Sequence, residues 1–176
     1  MPEIRCRFIE IKCKCYVIVA DYYSRFFEVA LLENQKAQTV INHMKSIFSR
    51  HSNPETVKND CGSQFSTTIE TTRENTLFSK NHNFSIVTSS PKYSHSNEFI
   101  ESMVKNCKKH FEKSVDEDRY LTMLVLRTTS LENGYSPAEL LMGRKLRTNL
   151  PMAKKSFMPK STEAEDIKRR TQIWSQ

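Results

Sequence analysis

Five consecutive residues, Tyr16-Val17-Ile18-Val19-Ala20, constrain the fold of this chain more than any other stretch. β-branched side chains pack well on a pleated surface, and a run without polar alternation has no face to offer water. It reads as a central, buried strand. Before it, Ile4, Cys6 and Phe8 alternate with charged residues until Ile9 and Ile11 shift the pattern. Ile4 to Ile11 therefore reads as another strand, with Lys12-Cys13-Lys14 as the turn between the two. Asp21-Tyr22-Tyr23-Ser24-Arg25 breaks the apolar run, and Phe26 to Leu32 gives a third strand. Three short strands in succession make an antiparallel meander.

Helical periodicity takes over next. Val40, Ile41, Met44, Ile47 and Phe48 form one apolar stripe, in a helix opened by Glu33 or Asn34 and ended by Asn53-Pro54. Thr56 to Asn59 reads as a short strand that delivers Asp60 to its C-terminal end, where ligands collect in α/β sheets. Residues 67–82 are polar and without a clear period. Phe84 to Thr88 reads as a strand, Asp116 or Asp118 opens a helix through Leu121, Leu124 and Val125, and Asn133 to Pro137 turns into a short helix over Ala138 to Met142. Beyond Pro151 the charge is basic and then mixed, which reads as a tail. The order of elements predicts an α/β fold: a mixed five-stranded sheet with flanking helices.

The segment Ser89 to Phe111 carries the most chemistry. Pro91 sets a loop, Ser96 or Asn97 caps a helix, and Ile100, Met103, Val104, Cys107 and Phe111 recur on one face. Glu101 lies in the first turn, off that face, where the helix dipole favours an anion. Lys105 and Lys108 follow at helical spacing, with Lys109 beside them. A carboxylate can hold a metal and a lysine row can hold a phosphate backbone; a solvated helix face would look the same. His95, in the preceding loop, reads as a surface residue.

Charge and cysteine use narrow the class. The net charge of +7 favours a polyanionic partner. No apolar run is long enough to span a membrane, and the N-terminal residues do not form a signal peptide. Five cysteines with no Cys-x-x-Cys pair predict reduced thiols in a nuclear or cytoplasmic, non-secreted setting. Cys13-Lys14-Cys15 has no histidine at zinc spacing and reads as non-ligating. With three glycines and no phosphate-cradling loop, nothing suggests a small-molecule substrate.

Six motifs taken together carry a resemblance. Asp21-Tyr-Tyr-Ser-Arg25, Asn59-Asp-Cys-Gly-Ser-Gln-Phe65, Thr88-Ser-Ser-Pro91, Ser96-Asn97, Ile100-Glu-Ser-Met103 and Gly134-Tyr-Ser-Pro-Ala-Glu-Leu-Leu-Met-Gly-Arg-Lys-Leu-Arg147 occur in this order. The stretch Tyr16 to Pro151 resembles the integrase catalytic core of Gypsy-type LTR retrotransposons and, more distantly, of retroviral integrases. The resemblance implies an RNase H-like core over residues 1–151, a tail over 152–176, DNA as partner and a possible homodimer. It also implies Mg2+ or Mn2+ as cofactor: two ions held by three acidic residues stabilise charge on the attacking and leaving oxygens of a phosphodiester.

Two of those acids map to Asp60 and Glu101. The first falls on Arg7, a permanent cation without an acceptor lone pair. Arg7 would repel metals and could pair with Asp60 instead, so the resemblance implies a degenerate, catalytically impaired copy. Glu10 has the wrong strand parity to substitute. Asp21 would approach Arg7's face if the first hairpin paired residue 11 with 15, which leaves open an active enzyme completed by Asp21. A self-associating, non-enzymatic remnant is a third possibility. Cys61 and Glu98 stand where the family usually has Asn and Gly. Forty residues separate Asp60 from Glu101, more than the family's usual spacing. The lysine row 105, 108 and 109 is similar to the helix with which retroviral integrases contact donor DNA. The zinc-binding His/Cys domain and the C-terminal DNA-binding domain of full integrases are not found in these residues.

Overall fold

The computed structural model describes residues 2–59, 73–88, 98–113 and 118–158. The chain divides into two compact units, Met1–Tyr23 with Phe27–Asp116, and Ser24–Phe26 with Glu117–Gln176.

The first unit is built on a five-stranded sheet. β1 (Glu3–Ile11), β2 (Lys14–Asp21) and β3 (Phe27–Leu32) form the expected antiparallel meander, and β4 (Thr56–Asn59) and β5 (Ser85–Thr88) join parallel to β1, giving the order β3-β2-β1-β4-β5. Helix α1 (Ala37–His51) lies between β3 and β4 in the chain, α2 (Arg73–His82) precedes β5, and α3 (Glu98–Lys113) follows it.

Both faces of the sheet are covered, which is why the β2 run is apolar throughout: Tyr16 to Ala20 are all at most 5% exposed. On one face Ile4, Cys6, Val17 and Val19 pack with Val40, Ile41, Met44, Ile47 and Phe48 of α1 and with Phe78 of α2. On the other, Ile9, Ile11, Tyr16, Ile18 and Ala20 are buried, and α3 contributes Ile100, Val104, Cys107 and Phe111. Tyr16 meets Phe111 edge to face, with centroids 6.3 Å apart. The shift of pattern at Ile9 and Ile11 is the signature of this second covered face.

Two local details differ from expectation. The first hairpin pairs Ile11 with Lys14, so its loop is the two residues Lys12 and Cys13, both in the left-handed region at φ 49° and 59°. That is the type I′ geometry, whose twist matches a tight hairpin. And α1 starts at Ala37, later than Glu33 or Asn34 would give. The Asn34 carboxamide oxygen instead accepts from the Lys36 amide at 3.0 Å and the Thr39 hydroxyl at 2.8 Å, closing a turn ahead of the helix.

Residues 73–82, within the stretch that showed no period, are helical. α2 buries only Asn75 and Phe78. Phe78 stacks on Phe48 at 5.7 Å and meets Phe84 at 5.0 Å, so a single aromatic ring docks this polar helix.

In the second unit, α4 (Arg119–Thr128) begins at Asp118, whose carboxylate accepts from the Tyr120 amide at 2.8 Å. α5 (Pro137–Met142) starts with a capping box: Ser136 Oγ accepts from the Glu139 amide while Glu139 Oε2 accepts from the Ser136 amide. Gly143 ends it at φ 66°, a conformation that favours glycine. A 3-10 turn spans Lys154–Phe157. No helix among the described residues is long and apolar enough to cross a membrane.

Candidate nucleic-acid interface

β1 runs through the middle of the sheet and sends alternate side chains to opposite faces. Its odd-numbered residues face α3. Arg5 on that face is buried, held by Glu3 at 3.1 Å and stacked over the Tyr22 ring at 4.4 Å. Arg7, two residues on, lies partly open at the edge of α3.

Helix α3 presents its charges to the same place. Its buried residues, Ile100, Val104, Cys107 and Phe111, are spaced by four, three and four. Glu101, Lys105, Lys108 and Glu112 repeat that spacing one residue further on, so they form a neighbouring stripe. Arg7, Glu101, Val104, Lys105, Lys108, Lys109 and Glu112 line one open groove. Four cations and two carboxylates leave it basic. The sequence pattern singled out Lys105, Lys108 and Lys109; Glu112 was legible by the same spacing and was not singled out.

Within the groove Arg7 Nη1 is 3.6 Å from Glu101 Oε1. That is an ion pair just beyond hydrogen-bonding distance, between side chains 32% and 57% exposed. Surface pairs of this kind contribute about 0–1 kcal/mol, so it organises charge more than it stabilises the fold.

Asp60 lies outside the described residues, as do His95, Cys61, Ser96 and Asn97. β4 ends at Asn59, paired with Cys6. Glu10 belongs to the opposite parity of β1 from Arg7 and is exposed. The proposed rescue by Asp21 is corrected by the register. Because Ile11 pairs with Lys14, Asp21 falls opposite Ile4 and Arg7 opposite Ile18. Asp21 is therefore on the other face of the sheet from Arg7, and it is buried at 2% exposure. Burial, and then the Asp21 charge, push the Tyr23 phenol above its ordinary range.

A two-metal site needs several hard oxygen donors converging on one point. Of the groove residues near β1, Glu101 supplies one carboxylate, and its partner Arg7 is a cation with donors only. Among the described residues no group of three or more His, Cys, Asp and Glu is placed to hold an ion. The described residues do not fit a pair of divalent ions.

A mixed five-stranded sheet in this order, with helices on both faces, is the RNase H-like fold of integrase catalytic cores. The crystal structure of the catalytic core domain of BIV integrase is similar to this chain with a TM-score of 0.67 and 14% sequence identity, over 80% of this chain and 93% of that one. In sequence, the chain is 31% identical over 147 residues to the uncharacterized protein K02A2.6 of Caenorhabditis elegans. The match takes in 78% of this chain but 11% of that protein, so the chain spans about a tenth of the relative's length. No protein-family model matches the sequence.

Proposed function

We propose that this chain is a degenerate, Gypsy-type retrotransposon integrase core: a DNA-binding domain over residues 1–151, followed by a basic tail, in which strand transfer is impaired. The observation that carries this reading is the ion pair between Arg7 and Glu101. A guanidinium beside the helix carboxylate supplies charge compensation that the family's chemistry draws from Mg2+ or Mn2+, and it brings no lone pair to bind either ion. Asp60 and Glu101 remain the acids of the proposed site. A partner such as DNA would be met in the nucleus or the cytoplasm.

The basic side of the groove supports the binding half of the reading. Lys105, Lys108 and Lys109 would contact phosphates, and such contacts need no metal. Replacing all three by Glu is expected to abolish binding to a labelled duplex. Unchanged affinity would take the lysine row out of the interface.

The deciding experiment is joining of a labelled oligonucleotide duplex in magnesium or manganese by the natural chain and by Arg7→Asp. An inert natural chain with a joining-competent variant supports one silencing substitution in an otherwise intact site. Joining by the natural chain would overturn impairment. Inertness of both would confine the function to binding.

A second reading, a self-associating remnant without enzymatic activity, is favoured by the surface of α4. Tyr120, Leu121 and Val125 expose 78%, 40% and 47% of their area. Sedimentation over a range of concentrations, with Val125→Glu as the comparison, tests for a homodimer through that helix.

A further inference from the structure

We infer that Arg7 is itself a phosphate ligand, so that the groove takes a nucleic-acid backbone phosphate without any divalent ion; the inference rests on the integrase-core reading for the class of partner. Three observations lead there. Arg7 is fixed at its base by the central strand of the sheet, paired on one side with Ile18. About a third of its side chain is open to the groove. The groove it opens into also holds a row of three lysines on α3, Lys105, Lys108 and Lys109, against the two carboxylates of Glu101 and Glu112.

The chemistry of the side chain fits the role. A guanidinium stays charged at every physiological pH, and its planar fork of N–H donors matches two oxygens of a phosphate. The rest of the groove extends the site along a line. Lys105 and Lys109 are four residues apart, about 6 Å along the helix axis at 1.5 Å per residue. Arg7 thus anchors one phosphate at the strand while the helix carries charges for those beside it.

Glu101 then has a role opposite to a metal ligand's. It is an internal anion that competes for the Arg7 guanidinium and repels an incoming phosphate. Its hold is weak, because the pair is exposed and 3.6 Å long. A phosphate would displace it at little cost. If the groove worked through metals, removing Glu101 would weaken phosphate binding. If Arg7 is the ligand, removing the Glu101 charge strengthens it.

The test is fluorescence anisotropy of a labelled duplex with the natural chain, in excess EDTA and in millimolar magnesium. Binding is expected to be at least as tight in EDTA as in magnesium, which competes for the phosphates as any counterion does, and to fall steeply with added salt. Glu101→Gln is expected to bind roughly threefold or more tightly in EDTA, since an exposed like charge beside the phosphate is removed. Arg7→Gln is expected to bind on the order of tenfold more weakly, the scale of one charge-assisted hydrogen-bonded contact. Arg7→Lys should fall between, keeping charge without the fork. Glu101 is exposed, so its variant keeps the test valid where an Arg7 variant fails to fold. Binding that requires magnesium, or weaker binding by Glu101→Gln, overturns the inference. So does an affinity in EDTA that neither Arg7→Gln nor Glu101→Gln changes. Joining by Arg7→Asp in magnesium, with no binding by the natural chain in EDTA, would sink this inference and leave the integrase-core reading standing. Absence of DNA binding under every condition would sink both.

Discussion

Asp21 closes β2 directly opposite Ile4 of β1. The pairing puts its carboxylate with the packing face toward α1, while Arg7 projects toward α3. A register one residue different would have exchanged those faces, because side chains alternate with every residue. Asp21→Asn in an Arg7→Asp background is therefore expected to leave DNA joining within about twofold of Arg7→Asp alone, per folded molecule, since nothing on the reacting face is touched. Loss of joining, with circular dichroism unchanged, would restore Asp21 to the site.

The register depends on the turn at Lys12 and Cys13, and that turn is made by unsuited residues. Each holds a positive φ, at 49° and 59°. A side chain with a Cβ meets the following carbonyl there, at a cost of about 1–2 kcal/mol per residue, and Asn-Gly is the favoured pair for this geometry. Lys12→Asn with Cys13→Gly should stabilise the first unit by about 1 kcal/mol. The readout is the urea midpoint at unchanged m-value. No change, or a loss, would mean that the hairpin closes through a different loop.

That turn also explains where sequence reading stopped. Strands β1 and β2 and helices α1 and α3 were legible because each buries a face broad enough to set a pattern, whereas α4 and α5 were legible from the residues that open them, Asp118 and Ser136-Pro137. Tyr16 to Ala20 marked the centre of the sheet, and the Ile9 and Ile11 shift reflected a second covered face. Hairpin register was not legible, since Lys-Cys carries no turn signal that separates a two-residue loop from a three-residue one. Helix α2 was hidden because only Asn75 and Phe78 are buried, too narrow a stripe to stand out from Arg73, Glu74, Lys80 and His82. At the site, Glu101 and the lysine row followed from helical spacing. The approach of Arg7 to Glu101 did not, because it is made by packing α3 on the sheet, between residues far apart in the chain.

The docking of α2 gives a direct measure of that hidden element. Phe78 is 5% exposed and meets Phe48, Phe84 and His82. Phe78→Ala is expected to cost about 3–5 kcal/mol, the usual scale for emptying a buried aromatic site. Leu77→Ala, at a side chain 50% exposed on the same helix, should cost far less. Urea denaturation of the two variants separates them. Equal, small losses would show that α2 is not held by its aromatic ring.

Alkaline pH tests the core from the other direction. Cys6 is 1% exposed, between sheet and α1, and burial pushes its thiol from 9.0 up to about 12. Below pH 9 the thiol is protonated in both states, so the full stabilising contribution is present. Above pH 9 the unfolded chain releases this proton while the folded chain keeps it. The unfolded state then binds fewer protons, and stability falls as pH rises, with a limiting slope of about 1.4 kcal/mol per unit until the folded thiol titrates. Cys6→Ala lacks this contribution. The stability gap between the natural chain and Cys6→Ala should therefore narrow by about 1.4 kcal/mol between pH 8 and pH 10, measured by urea denaturation under reducing conditions. Taking the difference cancels the tyrosines that titrate in the same range, including Tyr23. A gap that stays constant to pH 10 would mean that the thiol reaches water in the folded state, and that the sheet is less tightly covered by α1 than its packing indicates.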